Sequence, residues 1–410
     1  MSAVSALTAL LKDLPRRVKP WWLGAGLVAV ITVLGLVVLA VGGDPAAGGL
    51  QSSRAEGASA RGDPRSPETA KAAAANYLSA AGAPTSLRSP SARRARALDM
   101  SLTNARARVV KQLDDVATAP KTPARGGLAR TAVLGEDVAS FKDREATVCL
   151  WTATVRGSTR PGKTPHADFR TVTFFLGWEK GMWKVASVSS EDGPRPSASA
   201  LQTADTGKDF APYRAQGADD PRFSGRSSGD GLPASPPRGA KGARAAAVNA
   251  VTLQGSARFI LDEGWRDKVL DSTTAPDVLA SVRASASATA DRIVANRRIG
   301  PDGRTGDGSV LLMRTGVLAH RILGRSARTA SVELWTVHVG GTAGGDMLQV
   351  PQVSFRRMRV ELARDEDNGW KAERIRTAGG LVPMVPERKP SAPSDEFAEW
   401  GGDSHAPALA

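Results

Sequence analysis

Cysteine, histidine and aromatic side chains are all scarce in this chain. Its 410 residues include one cysteine and four histidines, and 5% are Phe, Trp or Tyr. One cysteine excludes an intramolecular disulfide framework and any cysteine-cluster zinc or iron–sulfur site. Four scattered histidines argue against a histidine-rich metal centre, so no metal and no cofactor is expected. Acidic residues are also outnumbered, 41 against 55 Lys and Arg, for a formal net charge of +14. That excess suits an acidic partner, whether nucleic acid, anionic lipid or wall polymer, and selects none of them.

One stretch lacks charge altogether. Residues 21–43 read WWLGAGLVAVITVLGLVVLAVGG. As a helix at ~1.5 Å per residue they reach roughly 34 Å, enough to cross a hydrocarbon core of about 30 Å. Lys12, Arg16, Arg17 and Lys19 precede the run against Asp13 alone. A basic flank stays in the cytoplasm, which places everything after the span outside. A cleaved signal peptide is the competing reading, and the run is too long for a signal core. Val4, Leu7, Leu10, Leu11 and Leu14 recur at helical spacing. They suit either a short interfacial helix or a plain cytoplasmic tail. Residues 1–20 carry +3, so the outer part keeps +11.

Two further segments lack apolar periodicity. Residues 44–65 are rich in Gly, Ala and Ser and read as a stalk. Residues 197–244 have almost no aliphatic side chains, and so long a structureless stretch inside a compact domain is unusual, so they read as an interdomain linker. Residues 386–410 form a polar tail. Two blocks remain, 66–196 and 245–385, each long enough for its own core.

The two blocks resemble each other. REATVCLWTATV (144–155) answers RTASVELWTVHV (328–339), with seven of twelve positions identical. Downstream, Trp183-Lys184 answers Trp370-Lys371, and upstream Ala72–Asn76 answers Ala245–Asn249. Helical patterns come first. Ser66 can cap a helix that Pro67 and Glu68 open and Gly82 ends, with Ala70, Ala74, Tyr77, Leu78 and Ala81 on one face. A second helix follows over Leu102, Ala105, Val109, Leu113 and Val116. Its counterpart opens at Thr274 and Pro276 and carries Val278, Val282, Ala286 and Ile293. The period then falls to two: Ala146, Val148 and Leu150 share one side of a strand, Val172, Phe174, Leu176 and Trp178 one side of the next. In the second block Met358, Val360 and Leu362 alternate with Arg357, Arg359 and Glu361. Turns are expected at 179–181 and 365–369. Helices followed by an antiparallel meander make each block an α+β domain.

A basic tail, one span, a stalk and two tandem helix-then-sheet domains resemble the TcpC-type conjugation proteins. These are relatives of the bitopic inner-membrane scaffold component (the eighth VirB protein) of type IV secretion. The segment WEKGMWKVASVSSEDGPRP (178–196) is also similar to the closing hairpin of such domains in actinobacterial membrane proteins. The second block departs from it, with TAGGLVP (377–383) in place of the SSEDGP ending. The resemblance implies two cone-shaped domains of the nuclear-transport-factor-two type, helices over a curved antiparallel sheet. It implies a non-enzymatic membrane scaffold that contacts lipid through its span and other transfer-apparatus proteins through its outer domains. It also implies homo-oligomers, often trimers, and no nucleic acid as partner.

Candidate sites are few. An enzyme in a cone needs an ionisable carboxylate, often with a histidine or tyrosine, inside it. Asp114, Asp115, His166, Asp168, Glu333 and His338 are the available groups, and no converging pair is visible; strand parity puts Glu333 and His338 on opposite faces. No catalytic, cofactor-binding or metal residue is therefore assigned. Trp151, Trp183, Trp335 and Trp370 recur between the blocks and read as core, with a platform for wall sugars or a partner as the alternative. Cys149 reads as a small buried residue rather than a reactive thiol. Arg88, Arg93, Arg94 and Arg96 read as a solvated face before they read as a phosphate contact. Residues 395–400, DEFAEW, read as a disordered terminus or a short docking motif. A wall-facing protein that binds peptidoglycan or an anionic wall polymer is the second functional reading.

Overall fold

The computed structural model describes residues 64–82, 90–116, 127–158, 165–198, 214–215, 232, 239–344, 351–365, 369–379 and 382–383. The expected span, residues 21–43, lies outside these, as do residues 1–20, expected to form a cytoplasmic tail, and residues 395–400. No helix among the described residues is long and apolar enough to cross a membrane.

The first domain runs through α1 (Pro67–Gly82), α2 (Pro90–Asp99), a 3-10 turn (Thr103–Ala105) and α3 (Arg106–Val116) into strands β1 (Gly127–Lys142), β2 (Glu145–Ser158), β3 (His166–Glu179) and β4 (Met182–Asp192). These strands form an antiparallel meander in sequence order. Two short strands follow, β5 (Ser197–Ala198) and β6 (Arg214–Ala215). The second domain has α4 (Ala240–Gln254), α5 (Ala257–Leu261), α6 (Glu263–Thr273) and α7 (Pro276–Arg297), then β7 (Val310–Arg325), β8 (Thr329–Ala343), β9 (Gln352–Asp365) and β10 (Gly369–Gly379). The tandem α+β plan agrees with the sequence. The basic segment after Arg88 is helical (α2), and the second domain adds α5 and α6. The stretch read as a linker is partly structured: β5 pairs with β9, β6 pairs with β7, and α4 begins at Ala240.

Local chemistry accounts for the main elements. The Ser66 Oγ accepts from the Thr69 amide at 3.2 Å and the Thr69 Oγ1 accepts from the Ser66 amide at 3.1 Å, a reciprocal cap ahead of α1. Ala70, Ala74, Tyr77 and Leu78 then bury one face, with Tyr77 set edge-on to Phe174 at 5.8 Å. Lys180 and Gly181 both take positive φ (53° and 80°), as a two-residue hairpin requires between β3 and β4. Pro276 opens α7, and Arg298 closes it in the left-handed conformation.

The duplication extends to irregularities that sequence comparison does not show. Extra residues bulge out of β1 between Val133 and Gly135 and between Val138 and Ser140. In β7 the bulges fall between Val317 and Ala319 and between Ile322 and Gly324, each 184 positions later. A third pair sits in the closing strands, between Val185 and Ser187 and between Ala372 and Arg374. Even the single parallel bridge from Ser101 to Val185 recurs, from Thr274 to Ala372. The repeated tryptophans share roles as well. Trp183 Nε1 donates to Thr69 Oγ1 at 3.2 Å and Trp370 Nε1 donates to the Gly239 carbonyl at 3.1 Å, so each ties the last strand to the start of the first helix.

Each sheet is covered on one face by helices and on the other, over part of its length, by the second sheet. On one face of the first sheet, Val148, Leu150, Val172 and Phe174 pack under α1–α3; on the second sheet Val332, Leu334 and Val360 pack under α4. On the opposite face Trp151, Ala153, Val155 and Phe169 meet Trp335, Val337, Val339 and Phe355 in one cluster shared by the two domains. The domains are thus docked sheet to sheet, with β1 lying against β7. Gly316 is the counterpart of Ala132, 184 positions on, and a Cβ placed there would stand 2.8 Å from the Ala132 Cβ and 2.9 Å from the Val133 carbonyl oxygen. Equivalent residues touching is the mark of an isologous, two-fold-like contact. The segment SSEDGPRP completes it: Gly193 lies against the β3 backbone, and the Pro194 carbonyl accepts from Trp151 Nε1 at 3.0 Å. In the second domain Val382, from TAGGLVP, packs on the same shared cluster.

Gly316→Val should lower the unfolding free energy by about 1–3 kcal/mol through overpacking. Gly324→Ala lies in the same strand with open space around it, and should stay within about 0.5 kcal/mol of the parent. Denaturant titration of both variants checks this, and equal effects would show that β1 and β7 do not pack as described.

Candidate functional site

The structure sorts the sequence candidates. Trp151 and Trp335 are 0% exposed, Trp370 2% and Trp183 6%, so all four are core and the platform reading of them is overturned. Cys149 is half-buried, with its Sγ 3.6 Å from Thr173 Oγ1. Asp114 and Asp115 lie on α3, where their side chains are not described; nor are those of Arg93 and Arg96 on α2. Arg88 lies outside the described residues, and Arg94 is exposed. His166 is exposed at the start of β3, and Asp168 stands 3.6 Å from the Arg156 Nη2. Glu333 is bound to Arg321 at 2.6 Å on the sheet face opposite His338, so the two do not converge. Among the described residues no group of three His, Cys, Asp or Glu side chains could hold a metal.

Two features were missed from sequence. The first is a basic face on the part of the second sheet that the first domain does not cover. Arg321 on β7, Arg357 and Arg359 on β9, and Arg374 and Arg376 on β10 share it with Glu333 and Glu361. Glu361 is within 3.4 Å of Arg374 and 3.7 Å of Arg359, so two acids partly balance five cations. The alternation of Arg357, Arg359 and Glu361 was the visible signal. Their sum with β10 needed the pairing register, which the bulge at Glu373 shifts.

The second is a cavity of ≈ 130 Å³ inside the second domain, between α7 and the helix-facing side of the sheet. Phe259, Ile260, Met313, Met358 and Ile375 give it apolar walls; Ser285 and Thr289 face it from α7, and Thr315, His338 and Arg356 from the strands. Thr315 and His338 are cross-strand partners, with Oγ1 2.9 Å from Nδ1. Gly255 leaves room for that hydroxyl, since any Cβ there would collide with it. Burial, reinforced by Arg356, pushes the His338 imidazole down to about 3, so the ring stays neutral. Burial also lowers the pKa of Arg356.

Buried charge also marks the packing of helices and domains. Lys71 on α1 stands 3.4 Å from Glu136 on β1, and Arg314 on β7 attracts the same carboxylate from the other domain. Burial pushes Glu136 up to about 8 against both cations. In the second domain Arg244 and His320 occupy the matching positions, 2.9 Å apart.

No protein-family model and no curated protein matches this chain. Three solved structures are similar to parts of it. An IcmL-like type IV secretion system protein from Legionella pneumophila is 8% identical, covers 38% of this chain and 99% of its own, and has a TM-score of 0.25. The intermembrane space region of the chloroplast protein ARC6 is 15% identical over 31% of this chain and 98% of its own, with a TM-score of 0.22. An Ntf2-like protein involved in plasmid conjugation is 8% identical over 77% of this chain and 96% of its own, with a TM-score of 0.20.

The depressed His338 pKa has a consequence for stability. Between its ordinary value of 6.5 and about 3 the unfolded chain binds a proton that the folded chain refuses. Stability contributed by the neutral ring is therefore full above 6.5 and falls as pH drops toward 3. His338→Gln should remove that component, giving a shallower loss of unfolding free energy between pH 6.5 and 4 than the parent shows. Parallel curves would place the histidine in water.

Proposed function

We propose that this chain is a membrane-anchored scaffold of a conjugative transfer or type IV secretion-like apparatus, acting through the surfaces of two extracytoplasmic domains and not by catalysis. The observation that carries the reading is the sheet-to-sheet docking around Trp151 and Trp335. It makes one body of two repeats and leaves their helical sides turned away from each other. Such a body suits a part whose task is to hold neighbours at a fixed spacing. The charge-free run of residues 21–43 would anchor it and residues 44–65 would give it reach. At the entry to the body, Arg65 binds Asp143 at 3.0 Å and lies 5.3 Å over the Trp178 ring, a firm seat for the end of a stalk. The architecture that resembles the TcpC-type proteins supports the same reading, and self-association is part of it.

The basic sheet face favours a second reading, a wall-facing protein that binds an anionic wall polymer through Arg357, Arg359, Arg374 and Arg376. Mild crosslinking in native cells, extraction through a tagged copy and mass spectrometry separate the two. The scaffold reading expects a secretion ATPase, a coupling protein or a channel component among the captured proteins. Wall enzymes or wall fragments without any transfer component would sink it. The triple variant Arg359→Glu, Arg374→Glu, Arg376→Glu should abolish salt-sensitive sedimentation with purified wall if the second reading holds. Under the scaffold reading it should leave wall sedimentation at the parent level.

A further inference from the structure

The repeats share one frame in the region of the cavity, and their differences there are chemical. Thr152 Oγ1 donates to the Arg170 carbonyl at 3.1 Å, and Thr336 Oγ1 donates to the Arg356 carbonyl at 3.2 Å, so Arg170 and Arg356 are counterparts. In the first domain the cross-strand pair is Thr131 with Thr154, hydroxyl to hydroxyl at 3.0 Å. In the second it is Thr315 with His338. Beside Arg170, two residues back on the same strand face, stands Asp168, which also serves Arg156 at 3.6 Å. The matching place in the second domain is Ser354, and Gly340 replaces Arg156. The acid has therefore gone while the cation remains. Among the described residues no carboxylate pairs with Arg356, and none lines the cavity. The hydroxyls of Ser285, in the cavity wall, and of Ser354 are buried without a hydrogen-bond partner.

A guanidinium facing an apolar hollow with no counter-ion is costly, and an anion supplied from outside relieves that cost. The rest of the hollow is hydrocarbon. Its size, ≈ 130 Å³, is close to the roughly 150 Å³ that takes up a benzene ring. Entry is physically reasonable at α7. Only Ala290 of that 22-residue helix is fully buried, so the wall bearing Val282, Ser285 and Thr289 is lightly held.

We propose that the second domain binds a small organic carboxylate in this cavity, its carboxylate on Arg356 and its compact apolar body, about one six-membered ring in size, against Phe259, Met313, Met358 and Ile375. The neutral His338 ring, held by Thr315, and the Ser285 hydroxyl supply the remaining polar contacts. Occupancy would brace α7 against the sheet and so stiffen one helical side of the body.

The test uses the full chain in nanodiscs with benzoate and cyclohexanecarboxylate as probes, and benzyl alcohol as the neutral match. Binding is followed by ligand-observed NMR and by thermal shift. Both carboxylates should bind and raise the melting temperature, and benzyl alcohol should bind about tenfold or more weakly, as expected for loss of a charge-assisted pair. Arg356→Gln should weaken benzoate about tenfold or more and leave benzyl alcohol little changed, while Arg356→Lys should retain part of the preference. If Arg356→Gln fails to fold, the preference for anions in the parent and in Arg356→Lys decides the matter. Equal binding of charged and neutral probes, no binding by any of them, or benzoate binding unchanged in Arg356→Gln would overturn the assignment.

Discussion

Between the two domains, β1 meets β7 with Gly316 against Ala132 and the Val133 carbonyl, and much of the remaining architecture depends on how close that approach is. Two strands come into van der Waals contact only where one of them has no side chain in the way. With Gly316 in place, Trp151 and Trp335 are brought into one cluster and both lose all exposure to water. Removing either indole from such a site costs roughly 3–5 kcal/mol, a large share of the stability of a typical domain. The contact is also self-complementary, because its participants are counterparts. A repeat that had once paired with a copy of itself would use this surface, and the duplicated chain uses it internally. What is left for other molecules is therefore the helical sides and the uncovered end of each sheet.

Those uncovered ends have diverged in a way that bears on partners. On the second sheet the face carries five arginines and two glutamates. The corresponding part of the first sheet presents Thr147, Cys149, Thr171, Thr173 and Phe175 with two carboxylates, Asp137 and Glu191. Surface pairs such as Arg374–Glu361, both partly in water, add little to folding stability. Set in a row, they create a field directed outward, of the kind that speeds encounter with an acidic surface and weakens with salt. One body thus presents one end with the carboxylates of Asp137 and Glu191 and another that is cationic.

Much of the helix-and-strand plan was legible in the sequence because the local signals agreed with the tertiary outcome. Ser66, Pro67 and Glu68 favour a helix start, Pro276 does the same, and Glu179–Gly181 favours a tight hairpin. Helix α2 escaped because its arginines mask the apolar period, leaving Ala97 as its buried anchor. The docking of the two sheets escaped for a different reason. Val148 and Leu150 alternate as a one-faced strand should, but Trp151, Ala153 and Val155 fill the other face, and continuous apolar character does not say what lies on each side. The parity that separated Glu333 from His338 held because β8 has no bulge between them. The same reasoning along β1, β7 or β10 fails at Val133, Val317 or Ala372, where one extra residue exchanges the faces. The arginine face and the cavity both lie beyond such shifts, so their members could not be gathered by counting along the chain.

The interiors of the two domains diverge under the same constraint. Because the shared cluster already fixes how the repeats sit, each helix-covered side is free to change without loosening the dock. In the first domain Thr131 answers Thr154, and Asp168 answers Arg156 beside Arg170, although the Nε atoms of both arginines are buried without a hydrogen-bond partner. The second has Arg356 in the place of Arg170, with Ser354 where the first has Asp168, Gly340 where it has Arg156 and His338 where it has Thr154. Each of these replacements would be a poor choice for stability alone. A half-buried cation with no acid beside it among the described residues, a histidine held neutral by burial, and hydroxyls without partners all raise the energy of the folded state. They lie around one hollow, under a helix of which Ala290 alone is fully buried. The matching region of the first domain also holds buried atoms without a partner, the Nε of Arg156 and of Arg170, but there a carboxylate, Asp168, stands beside the cations. A hollow lined by a guanidinium, with no carboxylate beside it among the described residues, is the physical reason to read it as a place for an anionic ligand.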